Sequence, residues 1–380
     1  MSRYINPAVV LFLFYIFIPG RSAATIVPAP PMIKASSYLV MDYYSHKMLV
    51  SENIDERVEP ASLTKMMTVY VAAGELAAGN ISLDDMVEVS EKAWRMPGSR
   101  MFIEVDKKVS VDNLLKGIIV QSGNDASVAL AEHIAGSEDA FTDMMNHQAA
   151  GLGMTGSHFM NSTGLPHENH YTTARDMAIL ASALIRDHPE IYAYHSMKEF
   201  TFNGIKQHNR NRLLWNGDGV DGVKTGHTES AGFCLVASAR RGNMRLISVV
   251  MGTDGEQARV RSSRSILNFG FRFYETHKLY NANETITTGK IWKGLTDSLD
   301  LGIVDDLYIT IPRGKYKKLD ASVELDSTII APVARGDVRG KLRVILEGKE
   351  LVNKPLIALH SVAEGSLFNR LKDEVELFFE

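Results

Sequence analysis

The sequence is poor in cysteine, in excess charge of either sign and in long apolar segments. A single cysteine, Cys234, among 380 residues excludes an intramolecular disulfide. Residues 232–237 around it form an apolar, strand-like run, so we expect a buried, unreactive thiol rather than a nucleophile. The formal net charge of −4, from 41 basic and 45 acidic residues, gives no sign of the basic face that nucleic-acid binding requires.

The N-terminus has the pattern of a cleaved export signal. Arg3 precedes an apolar segment at residues 8–18, and small residues follow at positions 22–24. The apolar segment is shorter than the roughly 20 residues that a membrane-spanning helix requires. We therefore predict a signal peptide at residues 1–24 and a mature protein outside the cytoplasm. The alternatives are a buried N-terminal helix and an uncleaved anchor.

Hydrophobic patterns divide the remainder into two domains and a terminal segment. In residues 25–275, strand-like runs stand at both ends of a mostly helical block over residues 61–184, which predicts one sheet assembled from distant segments and covered by helices. Residues 276–362 alternate in short runs between Gly, Asp and Pro turns, as in a small all-β domain. The predicted elements of the first domain are strands at residues 37–42, 47–51, 223–226, 233–239 and 246–251 and a last helix at residues 261–275.

One Ser-x-x-Lys occurs in the chain, at Ser62 and Lys65, where an apolar helical segment begins. Residues i and i+3 of a helix share a face, so the serine hydroxyl and the lysine amine can meet. Met66 and Met67 beside the lysine would desolvate it and lower its pKa, which makes it a candidate base at neutral pH. The alternative is a serine N-cap followed by a lysine that extends to solvent.

Two further motifs follow the Ser-x-x-Lys along the chain, and their order supports a catalytic role for it. Ser122-Gly-Asn124 lies between two helical segments, and Lys224-Thr-Gly226 lies on a predicted strand. Taken singly, these motifs could be a helix cap and a solvated lysine at a sheet edge. Ser-x-x-Lys, Ser-Asp-Asn and Lys-Thr-Gly in this order are the signature of penicillin-binding proteins and class A β-lactamases. Together they predict an enzyme with a nucleophilic serine.

On these motifs the chain resembles the low-molecular-mass penicillin-binding D-alanyl-D-alanine carboxypeptidases of Gram-negative bacteria, the penicillin-binding protein 5/6 group. The resemblance implies an α/β penicillin-recognising domain with an antiparallel sheet flanked by helices, then a small all-β domain and a membrane-associating helix. Ser-Gly-Asn in the second motif departs from the β-lactamases and favours this group. The similar segments are residues 60–68, 121–126, 174–177, 199–204, 223–228, 244–248, 270–273 and 307–314.

The resemblance also implies an acyl-enzyme mechanism. Ser62 would attack the carbonyl between two D-alanines while Lys65 takes its proton, because a serine hydroxyl is a poor nucleophile without a base. The identity of that base is disputed in related enzymes. Ser122 and Lys224 would pass a proton to the leaving D-alanine, and Asn124 completes the expected catalytic set.

A carboxypeptidase must also bind a free carboxylate, which calls for fixed positive charge and hydroxyl donors. Lys224 and Thr225 provide both, and by resemblance the backbone N–H groups of Ser62 and His227 hold the oxyanion. Arg259 matches the family's carboxylate-binding arginine, with a surface arginine at a helix start as the alternative. The expected substrate-binding residues are Lys224, Thr225, Gly226, His227 and Arg259.

The pair His167 and His170 suggests a metal site only superficially. Its His-x-x-His spacing differs from the i, i+4 pair of zinc peptidases, and it follows the loop-forming residues 164–166. We expect a polar loop here, with no metal and no cofactor.

The final segment, residues 363–380, has an apolar stripe at helical spacing with polar residues opposite. We expect an in-plane membrane helix, and a helix docked on the β domain is the alternative. Acidic residues outnumber basic ones here, whereas such anchors usually have a basic face. The stripe is Leu367, Phe368, Leu371, Val375, Phe378 and Phe379, and Asn369, Asp373, Glu376 and Glu380 face the other way.

These patterns predict a serine-type D-Ala-D-Ala carboxypeptidase of the periplasm, attached peripherally to the outer face of the inner membrane. Its substrates would be peptidoglycan pentapeptide stems, and β-lactams would be covalent inhibitors. One alternative is a β-lactamase, which needs rapid deacylation; Glu168 is the acidic residue of residues 161–171, but its context does not match the deacylating glutamate. Another is a non-catalytic wall-binding protein, which would not need an activated nucleophile.

Overall fold

The structure, a computed structural model, describes residues 27–379, so the predicted signal peptide at residues 1–24 lies outside the described part. Strands of the first domain are β1 (Ser37–Asp42), β2 (Met48–Glu52), β3 (Met86–Glu88), β4 (Lys108–Ser110), β5 (Glu199–Phe202), β6 (Ile205–His208), β7 (Val220–Thr228), β8 (Gly232–Arg241) and β9 (Met244–Thr253). Its helices are α1 (Lys65–Ala78), α2 (Glu91–Trp94), α3 (Val111–Lys116), α4 (Asn124–Ala135), α5 (Glu138–Gly151), α6 (Ala174–Asp187), α7 (Pro189–Tyr192) and α8 (Glu256–Phe273).

An antiparallel five-stranded sheet of order β2-β1-β9-β8-β7 forms the centre of this domain. Alternate side chains of β9 point to opposite faces, as the two-residue period of a strand requires. Val249 and Met251 pack with the helical block, whereas Leu246 and Val250 pack with Ile266 and its neighbours on α8. The predicted single sheet, assembled from distant segments and covered by helices, is confirmed, and the helices lie on both of its faces.

Element ends differ from the sequence predictions where short-range chemistry decides them. The last helix begins at Glu256, not at residue 261, because β9 and α8 are joined by a tight connection with Gly255 at the N-cap. The helical block also contains a short antiparallel pair, β3 and β4, that the helical pattern did not indicate. Gly79 ends α1 and Gly136 ends α4, each in the left-handed conformation that glycine adopts without strain.

The second domain is all-β, as predicted, and has its own hydrophobic core. Strands β10 and β13 form one ribbon, and the other six form a sheet of order β14-β16-β17-β12-β11-β15. Leu301 and Val344 are among the fully buried side chains of this core. The strands are β10 (Tyr274–Tyr280), β11 (Thr287–Trp292), β12 (Ser298–Gly302), β13 (Leu307–Pro312), β14 (Leu319–Leu325), β15 (Ile329–Ile330), β16 (Val338–Leu346) and β17 (Lys349–Ala358).

A buried polar network joins the two domains. The fully buried Asp42 carboxylate accepts hydrogen bonds from Ser45 Oγ at 2.9 Å and from Thr276 Oγ1 at 2.7 Å. Ser45 Oγ and Thr310 Oγ1 are 2.6 Å apart, and Lys47 Nζ donates to the Thr310 carbonyl at 2.8 Å. Because the buried carboxylate and hydroxyls satisfy one another across the junction, separating the domains would leave them unpaired.

The last helix, α9 (Leu367–Phe379), exposes its apolar stripe. All six side chains of the stripe are 59–86% exposed, and Leu377, outside the stripe, is half-buried. The acidic side instead meets the β domain: Asp373 accepts from the backbone N–H of Lys293, and Glu374 pairs with the Lys293 ammonium. The helix therefore contacts the β domain through its acidic side at Lys293, as the docked-helix alternative would have it, while its apolar stripe stays exposed. Within residues 27–379 no helix is long and apolar enough to span a bilayer.

Candidate active site

Ser62 lies in a 3₁₀ turn, Ala61–Thr64, that leads directly into α1. The sequence prediction placed Ser62 and Lys65 together on an α-helix, whereas only Lys65 belongs to α1. Side chains at i and i+3 eclipse one another in a 3₁₀ turn, so the two groups still meet, with Lys65 Nζ 3.3 Å from Ser62 Oγ.

Lys65 is fully buried, and its ammonium is held by two further acceptors. It donates to Asn124 Oδ1 at 2.6 Å and to the backbone carbonyl of Thr163 at 2.5 Å. Burial, assisted by the positive charge of Arg210, lowers the pKa of Lys65 from 10.5 to about 7. A lysine with such a pKa is neutral in about half of the molecules at pH 7 and can then accept a proton.

Ser122 and Lys224 form a second hydrogen-bonded pair across the site. Ser122 ends a helical turn in the left-handed conformation, with φ of 67°, and its hydroxyl accepts from Lys224 Nζ at 2.9 Å. Burial and the nearby Lys65 hold the pKa of Lys224 well below its usual range. Asn124 begins α4 and donates from Nδ2 to the Pro97 carbonyl at 2.6 Å, which turns its Oδ1 toward Lys65.

Strand β7 runs against the catalytic turn, and glycine at position 226 allows the approach. A Cβ on Gly226 would lie 3.0 Å from the Pro60 carbonyl oxygen and 3.3 Å from Ala61 Cβ. Arg259, in the first turn of α8, is 5% exposed and donates to the Gly226 carbonyl at 3.0 Å. The structure thus places Arg259 beside β7 rather than on the open surface of its helix.

These groups surround a cleft of about 510 Å³. Ser62, Ser122 and Arg259 line it, while Lys65 and Lys224 lie buried beneath its floor. The exposed His227 stacks on Phe233 with ring centroids 3.9 Å apart. The other predicted site residues in the lining are Asn124, Thr225, Gly226 and His227. All the predicted site residues therefore gather at one place.

Two residues of the site were missed by the sequence reasoning. Arg210 lines the cleft and donates from Nε to the Gln121 carbonyl at 3.1 Å. Its only sequence signal was a short basic and polar run at residues 209–212. Thr163 acts through its backbone carbonyl, which no side-chain pattern can reveal.

Other sequence predictions are resolved by burial. Cys234 is fully buried, and burial raises the pKa of its thiol to about 11, as expected for an unreactive cysteine. Glu168 is exposed and lines a separate cavity with Arg57, and it is not among the residues that line the catalytic cleft. The polar-loop prediction is wrong for His170, which is only 2% exposed and contacts Thr64. No group of three metal-ligating side chains occurs among residues 27–379.

Comparison with known proteins agrees with this geometry. The family model of peptidase S11, described as D-alanyl-D-alanine carboxypeptidase, matches residues 24–255. The chain belongs to this family. A second model, the C-terminal domain of penicillin-binding protein 5, matches residues 274–364.

Relatives of this S11 peptidase resemble it over nearly their full length. It is 44% identical to the D-alanyl-D-alanine carboxypeptidase DacA of Escherichia coli (strain K12), over 93% of this chain and 90% of the relative. The crystal structure of penicillin-binding protein 5 from Haemophilus influenzae superposes with a TM-score of 0.87 at 45% identity, covering 89% of this chain and 100% of that one. Penicillin-binding protein D2 from Listeria monocytogenes in its ampicillin-bound form matches 64% of this chain and 100% of its own, with a TM-score of 0.60 at 28% identity.

Proposed function

We propose that this protein is a serine-type D-Ala-D-Ala carboxypeptidase that removes the terminal D-alanine from peptidoglycan pentapeptide stems through an acyl-enzyme on Ser62. The observation that carries the proposal is a serine hydroxyl 3.3 Å from a buried lysine whose pKa is lowered to about 7. That pairing supplies both the nucleophile and the base that activates it.

In the acylation step Ser62 Oγ bonds to the carbonyl carbon of the penultimate D-alanine while Lys65 Nζ accepts the hydroxyl proton. The peptide C–N bond then breaks, and the pair Ser122 and Lys224 delivers a proton to the departing amine. Water then attacks the resulting ester and gives a proton to the Ser122–Lys224 pair, which restores that pair, and Lys65 returns its proton to the released Ser62. The 2.9 Å contact between Lys224 Nζ and Ser122 Oγ supports this relay, because it connects a proton source to the leaving-group side.

The positive side chains around the cleft suit a substrate that ends in a carboxylate. Arg259 is buried along its length, and its Nε has no hydrogen-bond partner among the described residues. Because Arg259 and Thr225 both line the cleft, a substrate carboxylate there would accept charge-assisted and hydroxyl hydrogen bonds from them. We assign the oxyanion to the backbone N–H groups of Ser62 and His227, and β-lactams to the same site as covalent inhibitors.

The two alternative functions are less compatible with the site. A β-lactamase of class A type needs a glutamate that directs water at the ester. Glu168, the acidic residue considered for that role, is exposed outside the cleft. A binding protein without catalysis would not need a fully buried lysine, whose desolvation opposes folding.

For its location we propose the periplasm, with peripheral attachment to the outer face of the inner membrane through α9. The exposed apolar stripe, with the acidic side of the helix turned toward Lys293, supports contact with the lipid boundary. Full burial of a large apolar side chain contributes about 1.5–3 kcal/mol. Ordering a free segment opposes this by roughly 1 kcal/mol per residue, so the attachment would be reversible.

The test of the activity is covalent labelling with a fluorescent penicillin, together with mass spectrometry of a pentapeptide stem. We expect one acyl group on Ser62 and the loss of one D-alanine from the peptide, and Ser62→Ala should abolish both. Ser99→Ala is the matched control, because Ser99 lines the same cleft without contacting Lys65. Undiminished labelling of Ser62→Ala would contradict the proposal. So would a pentapeptide that stays intact after incubation with wild-type enzyme that does label with penicillin.

A further inference from the structure

The loop formed by residues 161–171 lies directly against the catalytic turn and α1. Its Thr163 carbonyl accepts the hydrogen bond from Lys65 Nζ, and its Ser162 carbonyl accepts one from Thr68 Oγ1 at 2.6 Å. Gly164 touches the turn so closely that a Cβ there would lie 1.8 Å from the Ala61 carbonyl oxygen. The position of this loop therefore determines what surrounds the catalytic lysine.

The first part of the loop is anchored from behind the site. Glu138 accepts hydrogen bonds from the backbone N–H of Ser162 at 3.1 Å and from its hydroxyl at 2.8 Å. Asn161 Oδ1 accepts from the backbone N–H groups of Thr163 and Gly164, at 3.1 and 2.7 Å. These bonds hold the beginning of the loop, but not its far end.

The far end is attached at two places: Tyr171 and Thr172 pair through their backbones with His158 and Val58, and His170 contacts the catalytic turn. Residues 166–169 are exposed, whereas the His170 ring is buried and its Nε2 lies 2.8 Å from Thr64 Oγ1. The backbone N–H of Met160 donates to Nδ1 at 3.4 Å, so the proton must be on Nε2, and Nε2 donates to Thr64. Thr64 itself is fully buried and stands between Ser62 and Lys65 in the catalytic turn.

We propose that His170 is a positioning residue for acylation: its hydrogen bond to Thr64 closes residues 161–171 onto the catalytic turn, so that the Thr163 carbonyl keeps Lys65 aimed at Ser62 and shielded from water. This inference rests on the proposed function, since it concerns the same serine and lysine. The other hydrogen bonds that hold the far end join residues 169–172 to His158 and Val58, outside the catalytic turn, so the His170 contact is what brings this end onto the turn itself.

Burial lowers the pKa of the His170 ring to about 4, which keeps it in the neutral form that this geometry needs. The titratable groups whose charges act on the ring are His158, His167 and Lys65. Phe159 covers the ring edge to face, with centroids 5.8 Å apart. The contact should therefore persist throughout the pH range in which Lys65 changes its charge.

The test compares His170→Leu, His170→Gln and His167→Leu by the second-order rate constant for acylation by fluorescent penicillin, measured as a function of pH. We expect His170→Leu to acylate about 10–100-fold more slowly, the size of effect that misplacing a catalytic group produces. Its acid limb should also move to higher pH, because water reaching Lys65 raises the pKa of that amine. His170→Gln, whose amide can donate to Thr64, should recover most of the rate. The exposed His167 is the matched control, and its variant should behave as wild type.

A folded His170→Leu with wild-type rate and acid limb would overturn the inference. A slower variant whose acid limb is unmoved would also overturn it, since that result assigns His170 to stability alone. If thermal unfolding shows that His170→Leu does not fold, Thr64→Val removes the same hydrogen bond from the other partner and is judged by the same two readouts. Failure of the wild-type enzyme to label at Ser62 would instead refute the proposed function.

Discussion

The lowered pKa of Lys65 predicts how acylation depends on pH. If Lys65 is the base, the reaction requires its neutral form, so the second-order rate constant should rise with pH and level off above about 7. The pKa of Lys65 is lowered and not raised because burial destabilises the charged ammonium and not the neutral amine. Below the midpoint the rate should fall about tenfold for each pH unit.

The lowered pKa of Lys65 determines how much neutral amine is present at pH 7. At the ordinary lysine pKa of 10.5, about one molecule in 3,000 would have a neutral amine at pH 7, whereas at a pKa of about 7 roughly half would. Burial therefore raises the concentration of active base on the order of a thousandfold. At about 1.4 kcal/mol per pH unit, the change in pKa corresponds to about 5 kcal/mol by which the site favours the neutral amine over the ammonium. Lys65 is fully buried, so solvent does not screen this effect.

The assay is rapid-quench acylation by a fluorescent penicillin at concentrations far below saturation, from pH 5 to pH 9. Under these conditions the profile reports the ionisation of the free enzyme. A rate that stays flat between pH 5 and pH 9 would refute the reasoning, as would a midpoint near 10. Circular dichroism at each pH provides the control, because unfolding at pH 5 would imitate the loss of base.

Three further predictions concern the two lysines, Gly164 and the last helix. Lys65→Arg keeps the positive charge but cannot be neutral near pH 7, so the rate of penicillin labelling should fall at least about 1,000-fold. Lys224→Arg should retain measurable penicillin labelling and lose more in peptide turnover. Equal losses in the two variants would contradict the assignment of Lys65 as the base and Lys224 as a carboxylate-binding residue. Gly164→Ala, at φ of 86° and against the Ala61 carbonyl, should lower the free energy of unfolding in urea by about 1–3 kcal/mol, and an unchanged midpoint would argue against this packing. Truncation before Gly365 should leave activity intact and shift the protein from membrane pellets to the supernatant; unchanged sedimentation would exclude the helix as anchor.

Much of the fold was accessible from the sequence because its signals are local. The hairpin of β1 and β2 shows in two short apolar runs around a polar turn, and the β domain shows in alternating runs between turn residues. Helix and strand ends were less accessible. The start of α8 at Glu256 depends on where β9 ends and on the direction of the chain there, and the helical periodicity of the sequence does not indicate either.

The identities of the reacting groups were likewise available from the sequence. Ser62, Lys65, Ser122 and Lys224 belong to motifs whose order specifies one kind of chemistry, since a nucleophile and its base are determined by covalent structure. The resemblance to the carboxypeptidases rests on those motifs, and the comparisons confirm the family.

The tertiary structure decided how those groups are tuned. The Thr163 carbonyl that holds Lys65 is 98 residues away along the chain, and the Arg210 charge that helps lower the pKa of Lys65 comes from another distant segment. His170 looked like part of a polar loop, yet the fold buries it against Thr64. The sequence was enough to identify the reacting side chains. Desolvation and electrostatic interactions depend on distances in space, so only the packing around those side chains determined their pKa values and their orientation.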